Sequence, residues 1–151
     1  MDLINYLNRN YYTKQQLLDL AKINESELCA FQANKVMPVH SYKLCLNYSS
    51  DSFFGEYNNQ NKIEFYAKGY LSWIGMLKVT ANFQDIFPIF AQRYSQTISD
   101  LKIAGYVSSD AKVNSKIDLH IEDEWGNFLN GIYGLCTKSG LPEDIAGKEL
   151  A

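Results

Sequence analysis

His120 and Glu124 are the residues whose types and spacing could do chemistry. They lie four apart in DLHIEDEWGNFLNG, so a helix would stack them on one face. An imidazole and a carboxylate at that spacing can share a proton or hold a metal ion. Asn127 and Gly131 extend the same stripe. A metal site needs three or four ligands, and the other histidine, His40, is far away in the chain. The pattern therefore predicts a ligand contact through His120, Glu124 and Asn127 without a metal. The plainer alternative is a half-buried histidine satisfied beside an acidic face. Asp118, Glu122 and Asp123 read as surface charge. Glycine inside a helix costs about 0.5–1 kcal/mol against alanine, so Gly126 and Gly131 need a reason such as close packing or an approaching ligand.

No catalytic set is evident. Cys136 lies sixteen residues beyond His120, roughly 24 Å along a continuous helix, so the two do not pair. No GxGxxG and no GxxxxGK[ST] loop is present, and no cofactor is expected.

The second place where chemistry could reside is Tyr12–Tyr42. A base-reading helix offers Arg, Lys, Asn or Gln to base edges, with cations near phosphates. Here Ser26, Gln32 and Asn34 would face bases, and Lys14, Lys35 and Lys43 would face phosphates. Glu25 and Glu27 would be repelled. Charge points the same way. The chain carries a net −3. Residues 1–50 hold five Lys and Arg against four Asp and Glu, and the remainder holds nine against thirteen. DNA would be a weak partner.

These residues need elements to position them. The chain has 151 residues and is 46% apolar, enough for a core and against disorder. Leu3, Ile4 and Leu7 predict a short helix over 2–10. Thr13 and Gln16 form a capping-box pair ahead of a second helix. Ile23-Asn24 makes the turn, with Asn24 left-handed, and a third helix ends before Pro38. This is the outline of a helix-turn-helix. Tyr42 to Tyr48 alternate as a strand. Ser49–Ser52 reads as its turn and Phe53–Tyr57 as the return strand, a wing. The polar run Asn58–Asn61 marks a boundary. Beyond it, Ile63, Tyr66, Tyr70, Ile74 and Leu77 predict a helix, with Gly69, Ser72 and Gly75 facing a close neighbour. Further helices are expected from Pro88 to Gly105, from Val113 to Tyr133, and from Pro142 to Leu150.

Three widely spaced cysteines argue against a disulfide framework or a zinc site. They read as buried or half-buried thiols of a cytoplasmic protein. No signal segment and no membrane span is visible.

Two segments carry a resemblance. YYTKQQLLDLAKINESELCAFQANKVMPVHSY resembles the helix-turn-helix of the MerR-like group, except that Glu25, Ser26 and Glu27 stand where arginines are expected. EDEWGNFLNGIYGLCTKSGLPEDIAGKELA is similar to the C-terminal stretch of a bacterial family of unknown function whose members are often labelled natural-product biosynthesis proteins. Trp125, Phe128, Gly131, Tyr133–Thr137, Gly140–Pro142 and Lys148-Glu149 carry that likeness. It implies no catalytic residues. The chain stops at Ala151 within what reads as a helix, as a piece of a longer protein would.

The fold expected from sequence is thus mainly α: an N-terminal winged helix-turn-helix-like module (1–57), then a helical bundle of about four helices (58–151), with one short β-hairpin. The expected function is a non-enzymatic binding or regulatory protein with a protein partner or homodimer. The alternatives are a DNA-binding transcriptional regulator, or a small enzyme or ligand binder using His120 and Glu124.

Overall fold

The computed structural model describes residues 2–150. Helix α1 spans Asp2–Asn10, and the chain then enters a three-residue strand, β1, Tyr11–Thr13. Thr13 closes that strand and caps α2, Lys14–Ala21. Its hydroxyl accepts from the Gln16 N–H, and the Gln16 side chain accepts from the Thr13 N–H. The exchange satisfies donors that a helix start leaves bare. The left-handed residue of the next turn is Lys22, φ 57°, and not Asn24. Asn24 is extended because its side chain caps α3, Glu25–Ala33, in a second reciprocal pair with Glu27.

The largest departure from expectation lies between residues 42 and 67. Strand β2, Tyr42–Ser52, turns at Phe53-Phe54 into β3, Gly55–Ala67. The sheet order is β1-β3-β2, antiparallel throughout, with Tyr11 opposite Ala67, Tyr42 opposite Phe65 and Ser52 opposite Gly55. The expected turn at Ser49–Ser52 is strand. The run Asn58–Asn61 lies in mid-strand, and the helix expected from Lys62 starts only at Tyr70. The boundary placed between 57 and 58 falls inside β3. The chain is therefore mixed α/β, with eight α-helices and a three-stranded sheet among the described residues, and not mainly α with one short hairpin.

The cause is burial. A strand announces itself by alternation only where one face is covered. The outer ribbon is exposed on both faces, so residues 55–62 read as polar loop. At the other end of β3 both faces are covered. Phe65 packs with Leu7 and Tyr11, while Tyr66 and Ala67 join the main core. That gives a continuous apolar run in place of a period of two.

The main core is aromatic. It is built by α4 (Tyr70–Val79), α5 (Ile86–Ile103) and α6 (Ile117–Leu129). Trp73, Phe90, Trp125 and Phe128 meet with ring centroids 4.8–6.5 Å apart. Pro88 is the third residue of α5, where its missing N–H has no helical partner to lose. The close helix expected along Gly69, Ser72 and Gly75 is not there: Gly75 faces open space, and Gly69 lies against Ser139.

The single helix expected over Val113–Tyr133 is broken. Ala111–Val113 form a separate 3-10 turn, α6 ends at Leu129, and α7 spans Tyr133–Cys136. Gly131 makes the break at φ +77°, with His40 O and Val39 O packed where a side chain would start. Helix α8, Pro142–Leu150, returns across α5, where Glu143 accepts from Arg93 Nε at 2.6 Å and Nη2 at 2.8 Å. Gly126, unlike Gly131, has nothing within 4 Å of an added Cβ. Gly126→Ala is therefore expected to stabilise the fold by about 0.5–1 kcal/mol, read as a higher urea midpoint. A lower midpoint would mean that a neighbour approaches that face. Among the described residues no helix is long and apolar enough to cross a membrane.

Candidate functional site

Helix α6 stacks His120 over Glu124 as the i, i+4 spacing requires, with Nε2 3.2 Å from Oε1. Both are buried, His120 to 9% exposure and Glu124 to 5%. Glu149, near the end of α8, brings its Oε1 to 3.6 Å from the same imidazole nitrogen. Tyr133 donates its hydroxyl to Glu124 Oε2, the carboxylate oxygen turned away from the histidine. Tyr94, from α5, sets its ring edge-on to His120 at 6.1 Å between centroids. His120 Nε2 and Tyr94 Oη are buried without a hydrogen-bond partner.

Burial pushes the Glu124 carboxyl up to about 7, and the charge of Glu149 adds to it, while Lys112 and Lys148 pull the other way. The Tyr94 phenol is also raised, first by burial and then by the two carboxylates. A group that titrates near neutrality and lies within a buried polar cluster can exchange a proton or accept a cation. Asn127, half-buried one turn further along α6, enters none of the cluster's hydrogen bonds.

The break at Gly131 is what admits Tyr133. On a continuous helix Tyr133 would lie about 13 Å along the axis from Glu124. The left-handed turn folds it back. Tyr94, Tyr133 and Glu149 were not legible as site residues. They come from three other helices, and only the tertiary packing unites them. The weak signal available was a pair of glycines flanking Tyr133.

Residues 86–151 match the model of a family of unknown function (DUF6058). All five cluster residues lie in that span. The match bears out similarity to a family of unknown function at the C-terminal end; it carries no natural-product label and says nothing of Tyr12–Tyr42. No curated protein and no solved structure matches the chain.

Outside the DUF6058 span, the six residues considered for DNA are scattered in role. Lys14 Nζ donates to Glu25 Oε1 at 2.7 Å and lies 3.8 Å from Glu64. Gln32 Nε2 turns inward, donating to Pro38 O and Tyr66 Oη at 3.2 Å each. Asn34 donates back to Ala30 O at 2.7 Å, ending α3. Lys35 is the left-handed residue after it, φ 56°. Ser26 is exposed, and Lys43 is exposed on β2 opposite Glu64. The two amides expected to face bases, Gln32 and Asn34, are thus engaged with the chain's own carbonyls. The three cysteines are exposed rather than buried. The ribbon β2–β3 offers a different surface: Phe53 and Phe54 at its tip are 97% and 95% exposed.

Proposed function

We propose that the protein is a non-enzymatic interaction protein that pairs, through the outer edge of β2, with the same edge of a second copy. One observation carries this reading. β2 is an edge strand eleven residues long, and its two charges are placed for antiparallel pairing with itself. Lys43 and Asp51 stand an even number of positions apart, so both point to one face. With a two-fold axis at Asn47, midway between them, each Lys43 stands opposite the other copy's Asp51. On the other face Leu46 meets Tyr48. Within one chain Asp51 faces Glu56 across the hairpin, a like-charge pair that costs stability. A lysine from a second copy relieves it.

Edge strands present bare N–H and C=O groups, and closed two-fold pairing satisfies them without open-ended growth. In this reading the protein works in the cytoplasm, where exposed cysteines remain thiols. A setting in bacterial natural-product biosynthesis rests on the C-terminal resemblance alone.

Sedimentation velocity over a concentration series tests the pairing. A monomer–dimer equilibrium is expected. Lys43→Glu and Asp51→Lys each weaken it, and the double reversal restores it. A monomer at every concentration, or a dimer indifferent to the single reversals, overturns the proposal. Retention on random duplex DNA at low salt, lost as salt rises and abolished by Lys43→Glu, favours the DNA-binding alternative instead.

A further inference from the structure

We propose that His120, Glu124 and Glu149 bind one divalent transition-metal ion, of the zinc class, which fastens α8 to α6. The three side chains put one nitrogen and two oxygens within 4.8 Å of one another. Zinc bonds to such atoms are about 2.0–2.2 Å long, which sets neighbouring ligands of a tetrahedral ion about 3.4 Å apart. The observed separations from His120 Nε2, 3.2 Å to Glu124 and 3.6 Å to Glu149, bracket that edge.

The imidazole supplies the second, independent observation. Its Nε2 is buried in a residue 9% exposed, has no hydrogen-bond partner, and faces both carboxylates. A buried polar atom left bare costs stability, and a metal ion is the partner that a nitrogen lone pair between two carboxylates fits. Two carboxylates and a neutral imidazole balance a divalent cation in charge. One nitrogen with only two carboxylates suits the imidazole-binding transition metals better than calcium, which takes six to eight oxygens. Tyr133 supports the arrangement from behind. Its hydroxyl bonds the Glu124 oxygen that does not face the histidine, and so fixes the carboxylate's orientation.

The site also explains how the cluster is assembled. Glu124 and His120 are adjacent on one helix, but Glu149 arrives from α8, whose far end is held to α5 by Arg93 and Glu143. An ion at the Glu149 end ties the last turn of α8 to α6, beyond the hold that buried Ile145 and Ala146 give its middle.

Isothermal titration of the chelator-treated chain with zinc chloride tests this, with cobalt as a spectroscopic probe. One ion per chain and the intense visible bands of tetrahedral cobalt are expected. Tyr133→Phe is expected to weaken binding about 10–100-fold, and Glu149→Gln more. Glu149 is partly exposed, so Glu149→Gln is expected to fold, and its circular dichroism spectrum checks that it does. His120→Asn removes binding altogether. No binding at equimolar zinc overturns the proposal. So does binding that survives both Glu149→Gln and His120→Asn, which marks exposed thiols such as Cys136 as the ligands. Calcium binding in place of zinc overturns the assigned class.

Discussion

Trp73→Ala is expected to lower the unfolding free energy by about 3–5 kcal/mol, the usual cost of emptying a large aromatic site. A domain this size has about 5–15 kcal/mol in all, so the variant would be only marginally folded. Trp73 is fully buried and lies where the chain's parts converge. Its ring is 4.8 Å from that of Phe128, and Arg93 sits over it at 5.6 Å. Its Nε1 donates to Val36 O at 2.8 Å, tying the segment after α3 to α4. Trp73→Phe keeps most of the ring and strands the Val36 carbonyl, for about 1–3 kcal/mol. Urea unfolding followed by Trp125 fluorescence and by circular dichroism measures both. A loss under about 1 kcal/mol for the alanine variant would show that Trp73 does not hold the core. Melting in two steps would support division of the chain near residues 57 and 58, and melting in one step would argue for a single cooperative unit.

Gly131→Ala should cost nearly as much for a different reason. At φ +77° an alanine is strained by about 1–3 kcal/mol. Its Cβ would also stand 2.5 Å from His40 O and 2.8 Å from Val39 O. Both are backbone atoms and cannot rotate away. The two segments must part, which breaks the bonds Val39 N–H to Leu129 O at 3.0 Å and Ser41 Oγ to Gly131 O at 2.8 Å. Each is worth about 1 kcal/mol, so a total of about 3–5 kcal/mol is expected. The contrast with Gly126 sharpens the test. The same substitution five residues earlier on the chain is expected to stabilise. Equal effects at the two sites in urea titrations would show that helix propensity alone is being measured.

How legible this was from sequence depended on whether the determining neighbour was local. Thr13 and Gln16 advertise a capping box because both partners lie within one turn, and the bond forms as read. Tyr42 to Tyr48 alternate, and the strand is there. By contrast, Asn58–Asn61 is strand because β2 lies beside it, and the side-chain bond that marks the pairing, Asn59 Nδ2 to Tyr48 Oη at 2.9 Å, spans eleven residues and is not legible locally. Ile63, Tyr66 and Tyr70 mimic a helical period because the end of β3 is covered on both faces. At the site, His120 and Glu124 were visible as neighbours on one helix. Asn127, which continues their stripe, stays outside the cluster. Glu149 and Tyr94 took its place, and nothing near them in sequence points to His120.

The Tyr11 hydroxyl donates to Gly134 O at 2.6 Å, across 123 residues of chain. That bond bears on how the protein is born. A ribosome adding about 5–20 residues per second needs roughly 6–25 s to travel from one partner to the other. The ribbon is complete only once Ala67 has been added, and from then until α7 emerges β1 and the base of β3 lack the helix that covers them while the ribbon's edges stay bare. Contacts so distant in sequence also form late once the chain is free. The nascent chain therefore passes through a stage in which strand edges are exposed before the closing segment exists, and crowding by neighbouring nascent chains would act on that stage first.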